Sequence, residues 1–155
     1  MKKLLAITAT AAIIAMAGAA IAADSNTLTV SASVTGTCKF SSGTSTLAFG
    51  ALDPSASTNP TQSTTTDFWC TKGVTTDSFN AQNGLHFAAG KRQMLAQGTS
   101  GDVIPYSLTL TKDALSNGGP TVTRTLTIKG DILNADYVSK TADTYQDTVT
   151  IDITP

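Results

Sequence analysis

Ile104-Pro105-Tyr106-Ser107-Leu108-Thr109-Leu110-Thr111 is the stretch that decides the fold class. From Tyr106 onward, an apolar or aromatic side chain alternates with a hydroxyl side chain at every step. Successive side chains of a strand point to opposite faces of a sheet. The alternation therefore predicts a strand with one face against a core and the other face in water.

The same alternation recurs on both sides of this stretch in short runs. The runs are 28–34, 47–49, 67–70, 85–88, 122–128 and 148–154. Turn-forming clusters separate them, and serine with threonine makes up close to a third of the chain after Ala22, whereas glutamate is absent. Threonine favours strands, while Ser, Asp, Asn and Gly favour turns, so little is left to build a long helix. About seven short strands at this spacing predict an all-β, immunoglobulin-like sandwich of two sheets.

The N-terminus has the pattern of an export signal. Met1-Lys2-Lys3 precedes an apolar stretch from Leu4 to Ile21, and Ala20-Ile21-Ala22 fits an A-x-A cleavage site. These three parts are typical of a secretory signal peptide. We therefore expect residues 1–22 to be removed and the exported chain to keep no membrane span. A membrane anchor is the alternative, and it is disfavoured because no stop-transfer pattern follows.

The charge balance of the exported chain is weakly acidic. Lys2 and Lys3 leave with the signal peptide, so eight basic residues face 11 acidic ones and the formal net charge changes from -1 to -3. Nucleic acid and anionic lipid both favour clustered basic residues, whereas the only adjacent basic pair that remains is Lys91-Arg92. We therefore expect no nucleic-acid partner.

The two cysteines, Cys38 and Cys70, both lie in the exported part. An even count in an oxidising compartment predicts a disulfide between them. A metal or redox pair is disfavoured, because the spacing is long and no C-x-x-C motif occurs. The stretch from Ser55 to Thr66 lies between the cysteines and is interpreted as a loop. A linker between two small domains is the alternative, but the disulfide would tie the two sides of this stretch together.

Residues that could support catalysis are few. His86 is the only histidine, and the sequence assigns it neither an orienting carboxylate nor a nucleophile. The aspartates stand singly, without the D-x-D-x-D-G spacing of a calcium loop. No G-x-S-x-G, H-E-x-x-H or glycine-rich phosphate motif occurs. We therefore predict that the protein is not an enzyme and has no metal or cofactor.

Several blocks of the sequence occur in a recognisable order. They are the alternating segment before Cys38, Leu47-Ala48-Phe49-Gly50, Cys70-Thr71-Lys72-Gly73, Lys91-Arg92-Gln93-Met94, the segment 104–108 and the segment 145–151. In this order and spacing the chain resembles the spore coat protein U domain family. The resemblance covers essentially the whole exported chain, and that family includes subunits of archaic chaperone-usher pili.

The resemblance implies a sandwich that lacks its final strand and is completed by the N-terminal segment of a neighbouring subunit. Residues 23–36 would be the donor-strand segment and residues 37–155 the sandwich domain. The residues that match the donor pattern are Leu28, Val30, Ala32 and Val34. The residues that would border the acceptor groove are Val149, Ile151 and Ile153.

The resemblance also implies partners and a location. The partners would be neighbouring pilus subunits, a periplasmic chaperone that lends a temporary strand, and an outer-membrane usher. The chain would pass through the periplasm to the cell surface, where the fibre would support adhesion or biofilm formation. From the alternation alone, a self-complete secreted coat or matrix protein with a ligand surface near Trp69 is favoured, because a closed sandwich has the same pattern. The resemblance favours the fibre subunit.

Overall fold

The computed structural model describes residues 24–155, so the predicted signal peptide lies outside the described residues. Residues 34–155 form one compact unit, and residues 24–33 belong to another. Both sheets and the core lie within residues 34–155. Among the described residues no helix is long and apolar enough to cross a membrane.

The strands form two antiparallel sheets. The elements are β1 Cys38–Phe40, β2 Thr61–Cys70, β3 Ser78–Ala81, β4 Arg92–Ala96, β5 Val103–Lys112, β6 Arg124–Asp131, the short helix α1 Asn134–Tyr137, β7 Tyr145–Gln146 and β8 Ile151–Thr154. The larger sheet has the strand order β1-β2-β6-β5-β4-β7, and the smaller sheet pairs β3 with β8. The predicted all-β fold with two sheets is confirmed.

The central strand β6 shows why the alternating sequence forms this sheet. Leu126 and Ile128 are buried on its inner face, while Thr125 and Thr127 are only half-buried on the outer face. Strands β2 and β5 flank β6, so both of its backbone edges are hydrogen-bonded. β5 repeats the pattern, with half-buried leucines and exposed threonines. The predicted runs at 104–111 and 122–128 thus correspond to β5 and to most of β6.

Other parts of the strand prediction were wrong. The predicted loop from Ser55 to Thr66 is contradicted in its second half, because residues 61–66 form the first half of β2, where Thr64 pairs with Ile128. The side chains of this segment are polar, so they show no apolar alternation. Four of them are threonines, however, and β-branched side chains suit a strand beside β6. The runs 47–49 and 85–88 are not strands, since 47–49 pairs with no strand within residues 24–155 and the chain turns back between Ala88 and Lys91.

The core consists of two small clusters of buried side chains. Phe68, Cys70, Leu126 and Ile128 form the first, and the β3–β8 sheet covers it with Phe79, Ile151 and Ile153. The Phe79 ring meets Phe68 edge-on, with 4.8 Å between ring centroids. The second cluster contains Ile104, Ile132 and Tyr137 and is covered by Phe49 and Leu52. Much of the remaining apolar surface of the large sheet is only half-buried.

The predicted disulfide between Cys38 and Cys70 is present. The two residues are cross-strand partners in β1 and β2, with 4.0 Å between their Cα atoms. The backbone hydrogen bonds from Thr71 to Thr37 and from Ser41 to Asp67 lie on either side of this pair. Cys38 and Cys70 therefore form a non-hydrogen-bonded pair, in which facing side chains are closest. The bond fastens the edge strand β1 to its neighbour β2.

A buried polar cluster joins the start of β3 to the large sheet. Asp77 accepts hydrogen bonds from Lys112 Nζ at 2.9 Å, from Asn117 Nδ2 at 3.0 Å and from Arg124 Nη1 at 3.4 Å. Arg124 also donates from Nε to Asp113 at 2.8 Å. The side chains of Asp77 and Arg124 are each 3% exposed. This cluster is the polar link between β3, the end of β5 and the beginning of β6.

The cluster shifts the pKa values of its two carboxyl groups. Burial raises the pKa of Asp77, but the hydrogen bonds from Lys112 and Asn117 and the positive charges of Lys112 and Arg124 outweigh burial, so the pKa is lowered. Burial also raises the pKa of Asp113. The hydrogen bonds from Thr125, Arg124 and Leu115 and the positive charge of Arg124 outweigh this effect, so the pKa of Asp113 is lowered as well. Both groups are therefore stabilised as carboxylates.

Candidate functional site

An open groove of about 1200 Å³ crosses the inner face of the large sheet. Strands β2, β4, β5 and β6 supply its floor. The floor side chains are Thr64, Thr66, Met94, Ile104, Tyr106, Leu108 and Ile128. Most of these side chains are apolar, as in the interior of a sandwich. The groove is therefore a part of the core that residues 34–155 leave uncovered.

The first wall of the groove is the segment 42–52. Among the described residues it forms no backbone–backbone hydrogen bond. Leu47 and Phe49 are half-buried while Ala48 and Gly50 are exposed, so side chains alternate between the two faces as they do in a strand. The first wall thus has the side-chain pattern of a strand without a strand partner.

The second wall is the segment 140–151, which leads into β8. Its first part is held to β4 through β7, and Gln97 N–H donates to the carbonyl of Thr144 at 2.9 Å. The hydrogen bonds of residues 148–150 lie instead on the side of β3: Gln82 N–H donates to the carbonyl of Thr150 at 2.8 Å, and Leu85 N–H donates to that of Thr148 at 3.1 Å. Because backbone groups in an antiparallel pair alternate in direction, those of Val149 and Ile151 point away from β3. In the described part of the chain, β8 has β3 as its only strand partner. The second wall therefore also presents an unpaired edge.

Of the three residues expected at the acceptor edge, two line the groove and one does not. Val149 and Ile151 are half-buried and line the groove. Ile153 does not line it; this residue pairs with Phe79 across the small sheet and packs against the first core cluster.

The four residues expected in the donor strand are exposed. Leu28 is 82% exposed, Val30 83% and Val34 85%, and Ala32 is exposed as well. No helix or strand is assigned between residues 24 and 36. Three large apolar side chains thus stand in water within one short alternating segment.

A buried carboxylate fixes the second wall near the end of the groove. The side chain of Asp147 is 2% exposed and accepts a hydrogen bond from the Tyr106 hydroxyl at 2.6 Å. It also accepts hydrogen bonds from the backbone N–H groups of Leu85 and His86, and it contacts His86 Nδ1 at 3.1 Å. Burial raises the pKa of Tyr106, and the hydrogen bond to Asp147 raises it further. Tyr106 is therefore the proton donor in this bond.

Sequence reasoning missed this cluster. It gave His86 no carboxylate partner, yet Asp147, 61 residues later, lies beside it. No local motif marks the contact, because the fold alone brings the two segments together. Gly84 was the one available signal: its φ of +86° requires glycine, and Asp147 fills the space where a side chain would lie.

The sequence offers Phe68, Tyr106 and Tyr145 as aromatic partners of Trp69 in a ligand surface, but within the described residues these four side chains do not form one common surface. Phe68 is buried against the disulfide in the first core cluster. Tyr106 and Tyr145 pack against the second cluster. Trp69, one residue along β2 from Phe68, lies on the other face of the strand. The described residues also contain no group of three or more His, Cys, Asp or Glu side chains placed to hold a metal ion.

Replacing Tyr106 with phenylalanine tests the importance of the Asp147 cluster. The ring remains while the hydrogen bond to a buried carboxylate is lost, and such bonds contribute about 1.5 to 3 kcal/mol. We expect urea denaturation to give a free energy of unfolding lower by that amount. Tyr145→Phe is the matched control: its hydroxyl donates to the exposed carbonyl of Thr141, and we expect a loss below about 1 kcal/mol. Equal losses in the two variants would contradict the assignment.

Solved structures that are similar to this chain include one complex from a pilus assembly system. It is the crystal structure of the CsuC-CsuE chaperone-tip adhesion subunit pre-assembly complex from archaic chaperone-usher Csu pili of Acinetobacter baumannii. Sequence identity is 20% and the TM-score is 0.48, and the match covers 77% of this chain and 40% of that chain. This chain thus corresponds to less than half of the length of the chain it matches.

Comparison of sequences gives a clearer result. No curated protein sequence matches the chain. The sequence profile of the Spore Coat Protein U domain, however, matches residues 24–152, which is nearly all of the described chain. The match confirms the resemblance found in the sequence. The chain therefore belongs to the Spore Coat Protein U domain family.

Proposed function

We propose that the chain is a structural subunit of an extracellular fibre, in which the groove of one subunit receives the N-terminal segment of the next. The observation that carries this proposal is the groove itself: an apolar floor lies between two walls that both present unpaired backbone edges. Membership of the Spore Coat Protein U domain family supports the same function.

The backbone of the groove favours an extended peptide as its occupant. Unpaired N–H and C=O groups on an exposed edge are a template for another strand. A strand placed between residues 42–52 and the edge at Val149 and Ile151 would find hydrogen-bonding groups on both sides. Strand addition of this kind obtains affinity from main-chain hydrogen bonds and specificity from alternate side chains in pockets.

The segment around Val30 has the side chains that such a groove requires. Leu28, Val30 and Val34 are more than 80% exposed, so a partner could remove nearly all of their surface from water. Burying three side chains of this kind contributes on the order of 5 to 8 kcal/mol before the cost of ordering the segment. Their threonine and serine neighbours would stay in water on the other face.

The proposal includes helper proteins. An open apolar groove with unpaired edges exposes a free subunit to aggregation. A periplasmic chaperone would cover the groove with a temporary strand, and an outer-membrane usher would exchange that strand for the donor segment of the next subunit. The finished fibre would lie at the cell surface and serve adhesion or biofilm formation.

Deleting residues 24–34 tests the donor role. We expect the shortened chain to remain monomeric or chaperone-bound, because its groove is intact but it offers no strand to a neighbour. Size-exclusion chromatography and negative-stain microscopy of the exported chain would measure polymers. Normal polymers from the deletion would contradict the proposal, and a wild-type chain that stays a stable monomer without a chaperone would favour the self-complete coat protein.

A matched pair of point variants separates donation from general damage. Val30→Asp places a carboxylate where the groove is apolar, and an unpaired buried charge is strongly unfavourable, so we expect at least about a tenfold loss of polymer. Thr29→Asp introduces the same charge on the opposite face and should polymerise nearly as the wild type. A similar loss in both variants would show that the alternation does not matter.

A further inference from the structure

Gly130 marks a place where the floor of the groove is already covered. It lies on the inner face of β6, one alternation beyond Ile128. A Cβ atom at this position would lie 2.6 Å from Leu47 Cδ2 and 2.7 Å from Phe49 Cζ. Both side chains of the first wall therefore rest directly on the Gly130 backbone. Leu47 and Phe49 thus fill the space above Gly130, and less depth remains there for a side chain of an incoming strand.

The floor is divided into rows by the strand register. Ile128 pairs with Leu110, and Gly130 pairs with Leu108. The next row in the same direction contains Ile132 and Tyr106. Ile132 belongs to the second core cluster, and Tyr106 packs against it. Inner-face residues are spaced about 7 Å apart along a strand, and an added strand has the same spacing. Alternate side chains of a donor therefore meet successive rows.

The donor segment has one small residue among its four alternating positions. Leu28, Val30 and Val34 are large, whereas Ala32 ends at its Cβ. We infer that Ala32 of the donor lies over Gly130, where Leu47 and Phe49 leave room only for a small side chain. This inference rests on the proposed function. It makes Leu47 a specificity-determining residue that selects a donor strand by the position of its small residue.

The assignment does not depend on the direction of the donor strand. With Ala32 over Gly130, Val30 and Val34 occupy the two neighbouring rows in either orientation. One of these rows contains Ile128 and the other Tyr106, and both offer apolar surface to a valine. Only the row for Leu28 depends on direction, and the two candidates are the rows of Thr66 and Ile104.

Binding of synthetic peptides to the purified chain that lacks residues 24–34 tests the inference, because this chain has no donor of its own to fill the groove. The probes are a fluorescent peptide of residues 24–36 and the same peptide with Ala32→Leu, titrated into this shortened chain with Leu47 retained, called the wild-type chain in this experiment, and into its Leu47→Ala variant. We expect the leucine peptide to bind the wild-type chain at least about tenfold more weakly than the natural peptide. On Leu47→Ala, which opens the space over Gly130, we expect the difference to shrink to about threefold or less.

A Val30→Leu peptide is the control, because it enlarges the donor at a row that Leu47 does not cover. Leu47→Ala should leave any weakening by this peptide unchanged. If Leu47→Ala fails to fold, Leu47→Val serves as the smaller change, with a proportionally smaller rescue.

The outcomes separate this inference from the proposed function. If no chain binds the natural peptide, strand addition itself is refuted. If the natural peptide binds and the Ala32→Leu peptide binds the wild-type chain as tightly, only the assignment of Ala32 to Gly130 is wrong. Equal rescue of both enlarged peptides by Leu47→Ala would likewise overturn the assignment.

Discussion

Replacing Arg124 with methionine is expected to lower the free energy of unfolding by about 3 kcal/mol, because it leaves Asp77 buried with a weaker set of partners. Removing one member of a buried ion pair costs about 3 to 5 kcal/mol. The lower end applies here, since Lys112 stays at 2.9 Å from the same carboxylate. Methionine retains most of the apolar volume over the Phe68 ring, where the guanidinium lies 5.0 Å from the centroid. Urea denaturation of a chain of residues 23–155 would measure the change.

Lys129→Met is the matched control for this prediction. Lys129 and Asp131 form an ion pair at 2.9 Å, but their side chains are 48% and 32% exposed. Exposed pairs contribute between zero and about 1 kcal/mol, so this variant should remain close to the wild type. If Lys129→Met and Arg124→Met lost equal stability, burial of the Asp77 cluster would not be the cause.

The pH dependence of stability provides a second measurement of the same cluster. The pKa values of Asp77 and Asp113 are lowered in the folded protein from the ordinary value of 3.8. Their contribution is therefore complete above that value and is lost as the pH falls through the folded-state pKa values. We expect stability to decrease below about pH 4, and to decrease less steeply in Arg124→Met, where a part of the contribution has already been removed.

The part of the fold that sequence predicts is the part with alternating apolar residues. β5 and β6 follow from runs such as Leu108 to Thr111, because one apolar face requires a core. The first half of β2 could not be found in this way, since Thr61 to Thr66 place hydroxyl groups on both faces. Such a strand is specified by its neighbour β6 rather than by its own pattern.

The groove divides into predictable and unpredictable parts for a similar reason. Val149 and Ile151 were expected at the groove because the resemblance to the family implies that the last alternating run borders it. Leu47 and Phe49 appeared only as a short apolar run, and their contact with Gly130 is a close approach across the sandwich that no sequence spacing indicates. The same holds for Asp147 and Tyr106, whose hydrogen bond joins residues 41 positions apart.

Replacing both Cys38 and Cys70 with alanine is expected to lower the free energy of unfolding by about 3 to 4 kcal/mol. The disulfide closes a loop with a sequence separation of 32, and on the chain-entropy model a loop of this size gives that value. β1 is only three residues long and, in the part of the chain that the structure describes, pairs only with β2. Without the bond, β1 and the first wall that follows it should separate from the sheet more readily than β5 or β6.

Hydrogen exchange would identify this local loss. We expect the amides of Lys39, Ser41 and Thr71 to lose protection before those of the central strand, and the donor peptide to bind more weakly because one wall of its groove is mobile. Dithiothreitol should lower the free energy of unfolding of the wild-type chain to nearly that of the variant, and it should not change the stability of the variant. A loss below about 1 kcal/mol would contradict the prediction.

Domains of this size are stable by only about 5 to 15 kcal/mol. A domain with part of its core uncovered therefore depends strongly on this one bond, which forms and persists under oxidising conditions.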